Sequence, residues 1–237
     1  MSAIEFPARL IALLPLLLPC SGLPVDDDPL PLRGVFVAQE DPGAAWDRVY
    51  KRLKLPEVTV SSSFPAYCAD RLAREKLLEP GSKVLALAMG EGRNEVFFAG
   101  LGFDVTGIDI SPVAIEQAEQ AAKEKGVALK TVKADLFQYD LGREQWDLVT
   151  NIYFNPAIKV FDRIKDAVRP GGFVLVEGYG ADYKGEGPPA SSRYGPNQLL
   201  KELEGWRILE YQDGVFPCVW QQDKAVPVVR VLARKPK

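Results

Sequence analysis

The sequence VLALAMGEGRNEVFFAGLGFDVTGIDIS, residues 84–111, gives the clearest indication of the fold class. An apolar run leads into a loop that contains Gly90 and Gly92, a helical segment follows, and a second β-rich run ends at Asp109. This order of strand, turn, helix and strand is typical of a parallel β-α-β unit. Glycines at such a turn let the backbone bend sharply and approach a ligand, at the sheet edge where doubly wound folds bind cofactors.

The same alternation continues on the C-terminal side of this stretch. Strands are predicted at 83–88, 103–109, 128–133, 147–152 and 172–179. Helices are predicted at 92–100, 112–125 and 156–168. Ser111-Pro112 gives the second helix an N-cap followed by proline at its first position, and Pro170-Gly171-Gly172 is predicted to be the turn before the fifth strand.

The last third of the chain is less periodic. A helix is predicted at 196–203, followed by strands near 205–213 and 226–234 whose short connection favours an antiparallel hairpin. The sequence therefore predicts an α/β fold: a Rossmann-like, doubly wound, mostly parallel seven-stranded sheet with an antiparallel edge hairpin.

Two segments precede this domain, which we predict to span residues 81–237. Residues 1–40 contain an apolar run, 10–18, that resembles the hydrophobic region of a signal peptide and is too short to span a bilayer. The alternative for this leader is a flexible N-terminal arm. Residues 41–80 are predicted to form a helical lid, with an amphipathic stretch at 46–55, a loop near 58–65 and a helix from Ala66 to Leu78 stopped by Pro80-Gly81.

Composition excludes several classes of function. The chain has 237 residues, a formal net charge of −3 and no histidine. The acidic balance argues against nucleic acid as a partner. The lack of histidine removes the usual general base, the usual zinc ligand and every Ser-His or Cys-His nucleophile. The three cysteines have no CxxC spacing, so no metal or redox site is predicted.

Asp109 and Glu95 together discriminate between classes of cofactor. Asp109 stands 19 residues after Gly90, where an acidic side chain can take both hydroxyls of a ribose. A dinucleotide fingerprint would require glycine at position 95, but Glu95 stands there, and a carboxylate at a helix N-terminus would repel a pyrophosphate. A nucleoside cofactor without phosphates therefore fits better.

The loop LALAMGEGRN, residues 85–94, and its continuation to residue 111 resemble class I S-adenosylmethionine-dependent methyltransferases. Within that family the likeness is to the small bacterial tellurite-resistance and thiopurine-type branch. It extends over about residues 80–180 and includes Val-Arg-Pro-Gly-Gly at 168–172. The resemblance implies that residues 81–237 form an S-adenosylmethionine-binding methyltransferase domain.

The resemblance also implies which residues contact the methionine part of the cofactor. Ala88, Gly90 and Gly92 are expected beneath it, with Asn94 or Arg93 near its carboxylate. Asn151, at the end of the fourth strand, is expected to touch the same end of the cofactor.

The nucleoside end is assigned in the same way. By resemblance, Asp109 holds the ribose and Ile110 packs on the adenine. Asp135, just after the third strand, accepts a hydrogen bond from the adenine amino group, with the Leu136 amide beside it.

Methyl transfer from a sulfonium is an in-line displacement that needs alignment more than acid–base help. A small-molecule acceptor is therefore predicted, such as a thiol or a metalloid or chalcogen oxyanion. Candidate substrate-site residues are those at or beyond the carboxyl ends of strands: Arg93, Tyr153, Phe154, Tyr179, Tyr183 and Arg193. The long polar loop 179–189 is of the kind that commonly covers a site.

Two other functions are compatible with these residues. One is a Rossmann-type NAD(P)-dependent oxidoreductase, which Glu95 and the lack of a Tyr-x-x-x-Lys pair disfavour. The other is a non-catalytic cofactor-binding protein. No transmembrane span is predicted, and a cytoplasmic location is expected, with export or membrane association left open by the leader.

Overall fold

A computed structural model describes residues 41–53, 63–185, 188–222 and 224–237. The strands in this part of the chain are β1 Lys83–Leu87, β2 Asp104–Asp109, β3 Lys130–Lys133, β4 Trp146–Ile152, β5 Val168–Tyr179, β6 Arg207–Cys218 and β7 Lys224–Arg234. They form one sheet in the order β3-β2-β1-β4-β5-β7-β6. The first five strands are parallel, and β7 runs antiparallel to both β5 and β6. The predicted fold class is thus confirmed.

Six α-helices accompany the strands in the described residues: α1 Pro42–Arg52, α2 Phe64–Arg74, α3 Arg93–Gly100, α4 Pro112–Lys125, α5 Phe161–Ala167 and α6 Gln198–Glu202. The second predicted helix of the main domain is α4, and its ends are as the sequence indicates. Ser111 Oγ accepts from the Ala114 N–H at 3.1 Å, and Gly126 ends the helix in a left-handed conformation.

Several predicted elements differ in detail from the structure. The helix predicted at 156–168 begins as a 3₁₀ turn, Asn155–Val160, before α5. The Asn155 side chain exchanges two hydrogen bonds with the backbone of Tyr179, which ties this turn to β5. The predicted Pro170-Gly171-Gly172 turn lies instead within β5, as an irregularity between the pairs Trp146–Val168 and Leu148–Phe173. The hairpin strands are longer than predicted.

The segment predicted as a lid divides into two parts with different surroundings. α1 lies against α4, whereas α2 packs into the core through Phe64, Cys68 and Leu72. α2 also ends four residues before the predicted Leu78, because Lys76 adopts a left-handed conformation and the N–H groups of Leu77 and Leu78 both donate to the Leu72 carbonyl.

Both faces of the sheet are covered by apolar side chains, as a parallel sheet requires. One face carries a cluster built around Leu85, Leu87, Val149, Val174 and Ile164. The other carries a cluster built around Val84, Phe98, Leu148, Phe173 and Leu72. The carboxyl ends of β1, β2, β4 and β5 are left to form a common edge, where the candidate site lies.

None of the helices in the described residues combines the length and the apolar character needed to cross a membrane. The leader predicted at 1–40, including Cys20, and most of the loop predicted at 58–65 lie outside the described residues.

Candidate functional site

The loop after β1 is held in an unusual backbone conformation. Ala88, Gly90 and Gly92 all have positive φ angles, of 48°, 61° and 74°. The Gly90 N–H donates to Asp109 Oδ2 at 2.8 Å, which ties the loop to the end of β2. A Cβ atom on Gly90 would lie 2.6 Å from the Tyr50 hydroxyl, so only glycine fits beneath that ring without a shift.

Gly92 has a different packing role. A Cβ atom there would lie 2.6 Å from the Cβ atom of Ala118 in α4. Gly92 therefore allows the start of α3 to approach α4 closely.

Asp109 is buried at the end of β2, with 5% of its surface exposed. In addition to the bond from Gly90, its Oδ1 accepts from the Ser111 N–H at 2.8 Å. Burial raises the pKa of Asp109, and the backbone donors of Ser111, Gly90 and Ile110 oppose that rise. The carboxylate is thus positioned by the backbone rather than by a cationic side chain.

A cavity of about 180 Å³, the larger cavity, lies at the carboxyl edge of the sheet in the described residues. Eight of the residues predicted for the cofactor or substrate site line it: Ala88, Asp109, Ile110, Asp135, Leu136, Tyr153, Phe154 and Tyr179. Its other walls are mostly aromatic or prolyl, and include Trp46, Tyr50, Phe137, Pro156 and Trp220. The cavity thus has carboxylates from the ends of β2 and β3 and aromatic rings elsewhere.

α1 supplies one side of this cavity. The rings of Trp46 and Tyr50 are stacked with centroids 5.9 Å apart, and Tyr50 meets Trp220 edge-on at 6.3 Å. Sequence reasoning missed both α1 residues, although their i, i+4 spacing places them on one helix face. That spacing was the available signal.

Asp47 attaches α1 to the start of α4. Its Oδ1 accepts from Ser111 Oγ at 2.5 Å and from the Val113 N–H at 3.3 Å. Gln117 of α4 donates to the Tyr50 carbonyl at 3.0 Å. A carboxylate at a helix N-terminus is favourable, so these contacts hold α1 across the cavity.

A smaller cavity, about 20 Å³, lies beside the glycine loop and is lined by Arg93, Asn94, Glu91 and Glu95 among others. Within the described residues, Glu91 Oε1, Asn94 Oδ1 and Glu95 Oε2 are buried without a hydrogen-bond partner. Burial raises the pKa of Glu95 to about 8. Arg93 Nε lies 3.4 Å from Glu91 Oε1. The cavity is therefore lined by hydrogen-bond acceptors that need a donor.

A cluster of aromatic side chains stands at the other end of the larger cavity. Tyr153 and Tyr179 have ring centroids 5.3 Å apart, and Tyr179 stacks on Tyr183 at 4.5 Å. The Tyr153 hydroxyl donates to Glu177 Oε1 at 3.0 Å. Glu177 was missed in the sequence, where the signal was an acidic residue inside the apolar strand FVLVEGY, residues 173–179.

Five of the predicted site residues line neither cavity: Gly90, Gly92, Asn151, Tyr183 and Arg193. Asn151 Nδ2 donates to the Tyr194 hydroxyl at 3.1 Å, and the Asn151 side chain is buried there. Arg193 donates to the carbonyls of Pro188, Tyr183 and Gly185, and its guanidinium lies over the Tyr183 ring. Arg193 therefore holds the loop after β5, and that loop brings Pro188 to the cavity.

Known proteins similar to this chain were found by sequence. A family model described as a methyltransferase domain matches residues 84–172. The ribosomal protein L11 methyltransferase of Thermus thermophilus is 30% identical over 215 residues, covering 79% of this chain and 83% of that protein. The probable S-adenosyl-L-methionine-dependent methyltransferase TehB of Haemophilus influenzae is 24% identical over 153 residues, covering 62% of this chain and 53% of TehB.

The crystal structure of the same TehB shares the fold, with a TM-score of 0.61 at 19% identity, over 81% of this chain and 66% of that one. Other L11 methyltransferases, from Burkholderia and Symbiobacterium, are matched over less than half of their own length.

Proposed function

The chain belongs to the class I S-adenosylmethionine-dependent methyltransferases, and from that premise we propose that its methyl acceptor is a small molecule bound in the larger cavity. The proposal rests on how polar and aromatic side chains are distributed around the wall of the larger cavity. Asp109 and Asp135 lie at one side, and Tyr153, Tyr179 and Trp220 lie at another. Carboxylates suit the donors of a nucleoside, whereas an aromatic wall suits an acceptor with a nonpolar body.

The carboxylate side would hold the adenosine part of S-adenosylmethionine. Asp109 would accept from the ribose hydroxyls, and Asp135 from the adenine amino group, with the Leu136 amide beside it. Ile110 and the half-exposed Phe137 would pack on the adenine ring. These groups fit the nucleoside because they are acceptors and apolar surfaces.

The smaller cavity would hold the methionyl part. Its unpartnered oxygens, on Glu91, Asn94 and Glu95, can act as acceptors once Glu95 gives up its proton, and an ammonium group supplies three donors and a positive charge. Arg93 would face the carboxylate of the same group. A phosphate would add only further acceptors, so the residues fit S-adenosylmethionine and disfavour a dinucleotide.

When bound, S-adenosylmethionine supplies a methyl group on a positively charged sulfur, which a nucleophile can displace. The chain's own contribution is to align the acceptor and to exclude water. Trp46 and Tyr50 cover one side of the cavity, and Arg193 holds the loop that carries Pro188 against another. We propose that α1 and this loop enclose the reacting groups.

The charge of the wall narrows the class of acceptor. Among the described residues that line the larger cavity there are two carboxylates, Asp109 and Asp135, and no lysine or arginine. A metalloid or chalcogen oxyanion would find no cationic side chain to pair with there, and only the sulfonium of the bound cofactor as a counter-charge. A thiol or a phenol is therefore the favoured acceptor.

A second candidate acceptor is a protein side chain. The similarity to an L11 methyltransferase over most of both chains favours it. Such an acceptor would have to enter between α1 and the loop after β5.

The first experiment is calorimetric titration of the protein with S-adenosylhomocysteine, beside Asp109→Ala, an Asp104→Ala control and an NAD titration. We expect the affinity to fall by about 10- to 100-fold in Asp109→Ala, the loss of hydrogen bonds to a charged group. Asp104 is an exposed residue at the start of the same strand, paired with Lys130, so its variant should bind normally. Binding of NAD alone would contradict the cofactor assignment.

The second experiment is a turnover assay with thiols, phenols, metalloid oxyanions and ribosomal protein L11 as separate acceptors. Formation of S-adenosylhomocysteine with a thiol or phenol is the expected result. Turnover with the protein alone would replace the small-molecule proposal by the second candidate. A protein that binds the cofactor and turns over none of these acceptors would contradict both.

A further inference from the structure

Tyr153 and Glu177 meet where β4 and β5 end. Tyr153 follows β4 with a φ of 59°, a left-handed conformation that a tyrosine rarely adopts. Its N–H donates to the Glu177 carbonyl at 2.7 Å, and its hydroxyl donates to Glu177 Oε1 at 3.0 Å. Two hydrogen bonds to one residue thus hold Tyr153, and Tyr153 also lines the larger cavity.

Glu177 is buried, with 4% of its surface exposed. The positions two and four residues before it in β5, Leu175 and Phe173, pack in the hydrophobic core. A carboxylate at the end of such a series destabilises the fold unless it is paired. Its partners are the Tyr153 hydroxyl and Arg230, whose Nη1 lies 3.5 Å from Glu177 Oε1.

The charges around the pair suit transfer of a proton. Apart from Tyr153, four titratable or charged groups interact electrostatically with Glu177, and each comes from a different element. They are Arg93 of α3, Arg230 of β7, Cys68 of α2 and Cys218 of β6. Burial raises the pKa of Glu177, and Arg230 opposes that rise. Burial also raises the pKa of Tyr153 well above its ordinary value, so its hydroxyl keeps a proton to donate.

We propose that Tyr153 and Glu177 form a proton relay that deprotonates the methyl acceptor, which is therefore a thiol or phenol that enters the cavity with its proton. This inference rests on the proposed small-molecule function and names its substrate class. Tyr153 would contact the acceptor. Glu177 acts through Tyr153 and is a positioning and proton-storing residue.

The relay conserves atoms and charge. The acceptor's proton moves to Tyr153 Oη as the tyrosine's own proton moves to Glu177 Oε1. The acceptor's freed electron pair forms the new bond to the methyl carbon, and the pair of the broken carbon–sulfur bond stays on sulfur. One positive charge on sulfur and one negative charge on Glu177 are thereby removed together.

The test compares acceptors that do and do not carry a proton. Phenol and benzyl mercaptan are protonated at neutral pH, whereas 4-nitrothiophenol is already ionised. Tyr153→Phe and Glu177→Gln should slow turnover of the protonated acceptors by about 100-fold, the range of general acid–base catalysis. Turnover of 4-nitrothiophenol should change little. Tyr67→Phe, an exposed hydroxyl on α2, is the matched control and should leave every rate unchanged.

The pH profile and cofactor affinity separate a relay from a merely structural pair. In the wild type, turnover of phenol should fall at low pH as Glu177 becomes protonated, whereas in Glu177→Gln it should follow the ionised fraction of phenol and keep rising up to the pKa of phenol itself. Both variants should bind S-adenosylhomocysteine as the wild type does. Equal slowing of protonated and ionised acceptors, or no slowing of either, would overturn the relay while leaving the proposed function intact.

A readout without turnover uses 4-nitrophenol, whose phenolate absorbs visible light. Bound to the wild type with S-adenosylhomocysteine, at a pH below its own pKa, it should give up its proton to the pair and absorb as phenolate. In both variants it should absorb as phenol. A wild type that turns over no small acceptor would reject the proposed function, and the relay with it. A wild type that turns them over but binds 4-nitrophenol as phenol would reject the relay alone.

Discussion

The two sides of the candidate site are built in opposite ways. The side that would hold the cofactor comes from short segments directly after β1, β2 and β3: residues 88–95, 109–111 and 134–137. The aromatic side comes from segments far apart in the chain, which are α1, the ends of β4 and β5, the loop around Pro188, and Trp220 between β6 and β7.

This difference shows which side of the site the fold itself assembles and which side depends on contacts particular to this chain. Three parallel strands that follow one another in the chain, β1, β2 and β3, place Asp109, Asp135 and the glycine loop together by topology alone, because the carboxyl ends of parallel strands meet at one edge. The aromatic side depends on contacts between distant segments, such as that of Tyr50 with Trp220. We therefore expect changes on the first side to alter cofactor affinity and changes on the second to alter turnover.

Gly90→Ala should give the largest effect among the following variants. Gly90 belongs to the glycine loop of the cofactor side and lies directly beneath Tyr50 of the aromatic side. Alanine would be strained at a φ of 61° and would press on the Tyr50 hydroxyl. The affinity for S-adenosylhomocysteine should fall by at least about tenfold, and the melting temperature by roughly 5 °C, for about 2 kcal/mol in a domain of this size. Calorimetry and thermal unfolding measure the two effects.

Gly126→Ala is the control for backbone strain. Gly126 has a φ of 67° with open space around it, so alanine there should cost about 1 kcal/mol and leave binding unchanged. If Gly126→Ala and Gly90→Ala behave alike, the contact with Tyr50 contributes nothing, and the two sides are independent.

Asp47→Ala should loosen α1 without touching the glycine loop. It removes the acceptor for Ser111 Oγ and the Val113 N–H, a loss of about 1 kcal/mol for a capping interaction. The dissociation of S-adenosylhomocysteine should accelerate about fivefold in stopped-flow measurements, since 1 kcal/mol corresponds to a factor of about five. Unchanged dissociation would mean that α1 does not cover the bound cofactor.

The effect of pH on stability belongs to the cofactor side. Burial raises the pKa of Glu95 from 4.5 to about 8, so the folded protein keeps a proton that the unfolded chain releases. The free energy of unfolding should therefore fall as the pH rises from about 4.5 to about 8, and Glu95→Gln should remove the part of that slope that Glu95 contributes. Chemical denaturation across this range is the measurement.

Binding of S-adenosylhomocysteine gives a second test of the protonation of Glu95. The ammonium group of bound S-adenosylhomocysteine would favour the charged form of Glu95. Binding should therefore release a fraction of a proton from the protein at neutral pH. Calorimetry in two buffers of different ionisation enthalpy detects it. Glu124→Gln, an exposed change on α4, should keep the release, and its loss there would contradict the assignment to Glu95.

The sequence predicted correctly those structural features whose signals lie in neighbouring residues. Ser111-Pro112 predicted the start of α4, and the alternation of apolar runs predicted five parallel strands and an antiparallel hairpin. The predicted Pro170-Gly171-Gly172 turn corresponds to a break in pairing within β5, since residues 169–172 lie between the pairs Trp146–Val168 and Leu148–Phe173 and Gly171 has a φ of 76°.

The aromatic side was predictable only in part. Tyr153 and Tyr179 follow strands and were identified by position, but nothing local to Tyr50 or Glu177 marks its distant neighbours. Arg193 was selected for its position beyond the end of a strand, and the structure shows its guanidinium directed to three carbonyls of its own loop. Long-range packing decides these cases.

The place of β7 has a consequence for biosynthesis. β5 pairs with β4 on one side and with β7 on the other, and β7 is translated after β6, which is the outer strand. During translation the apolar FVLV segment of β5 therefore has an unpaired edge until the last strand emerges from the ribosome. Open apolar edges are templates for aggregation. Truncation within β7 should thus yield a protein that accumulates in inclusion bodies, even though every residue of the cofactor side is still present.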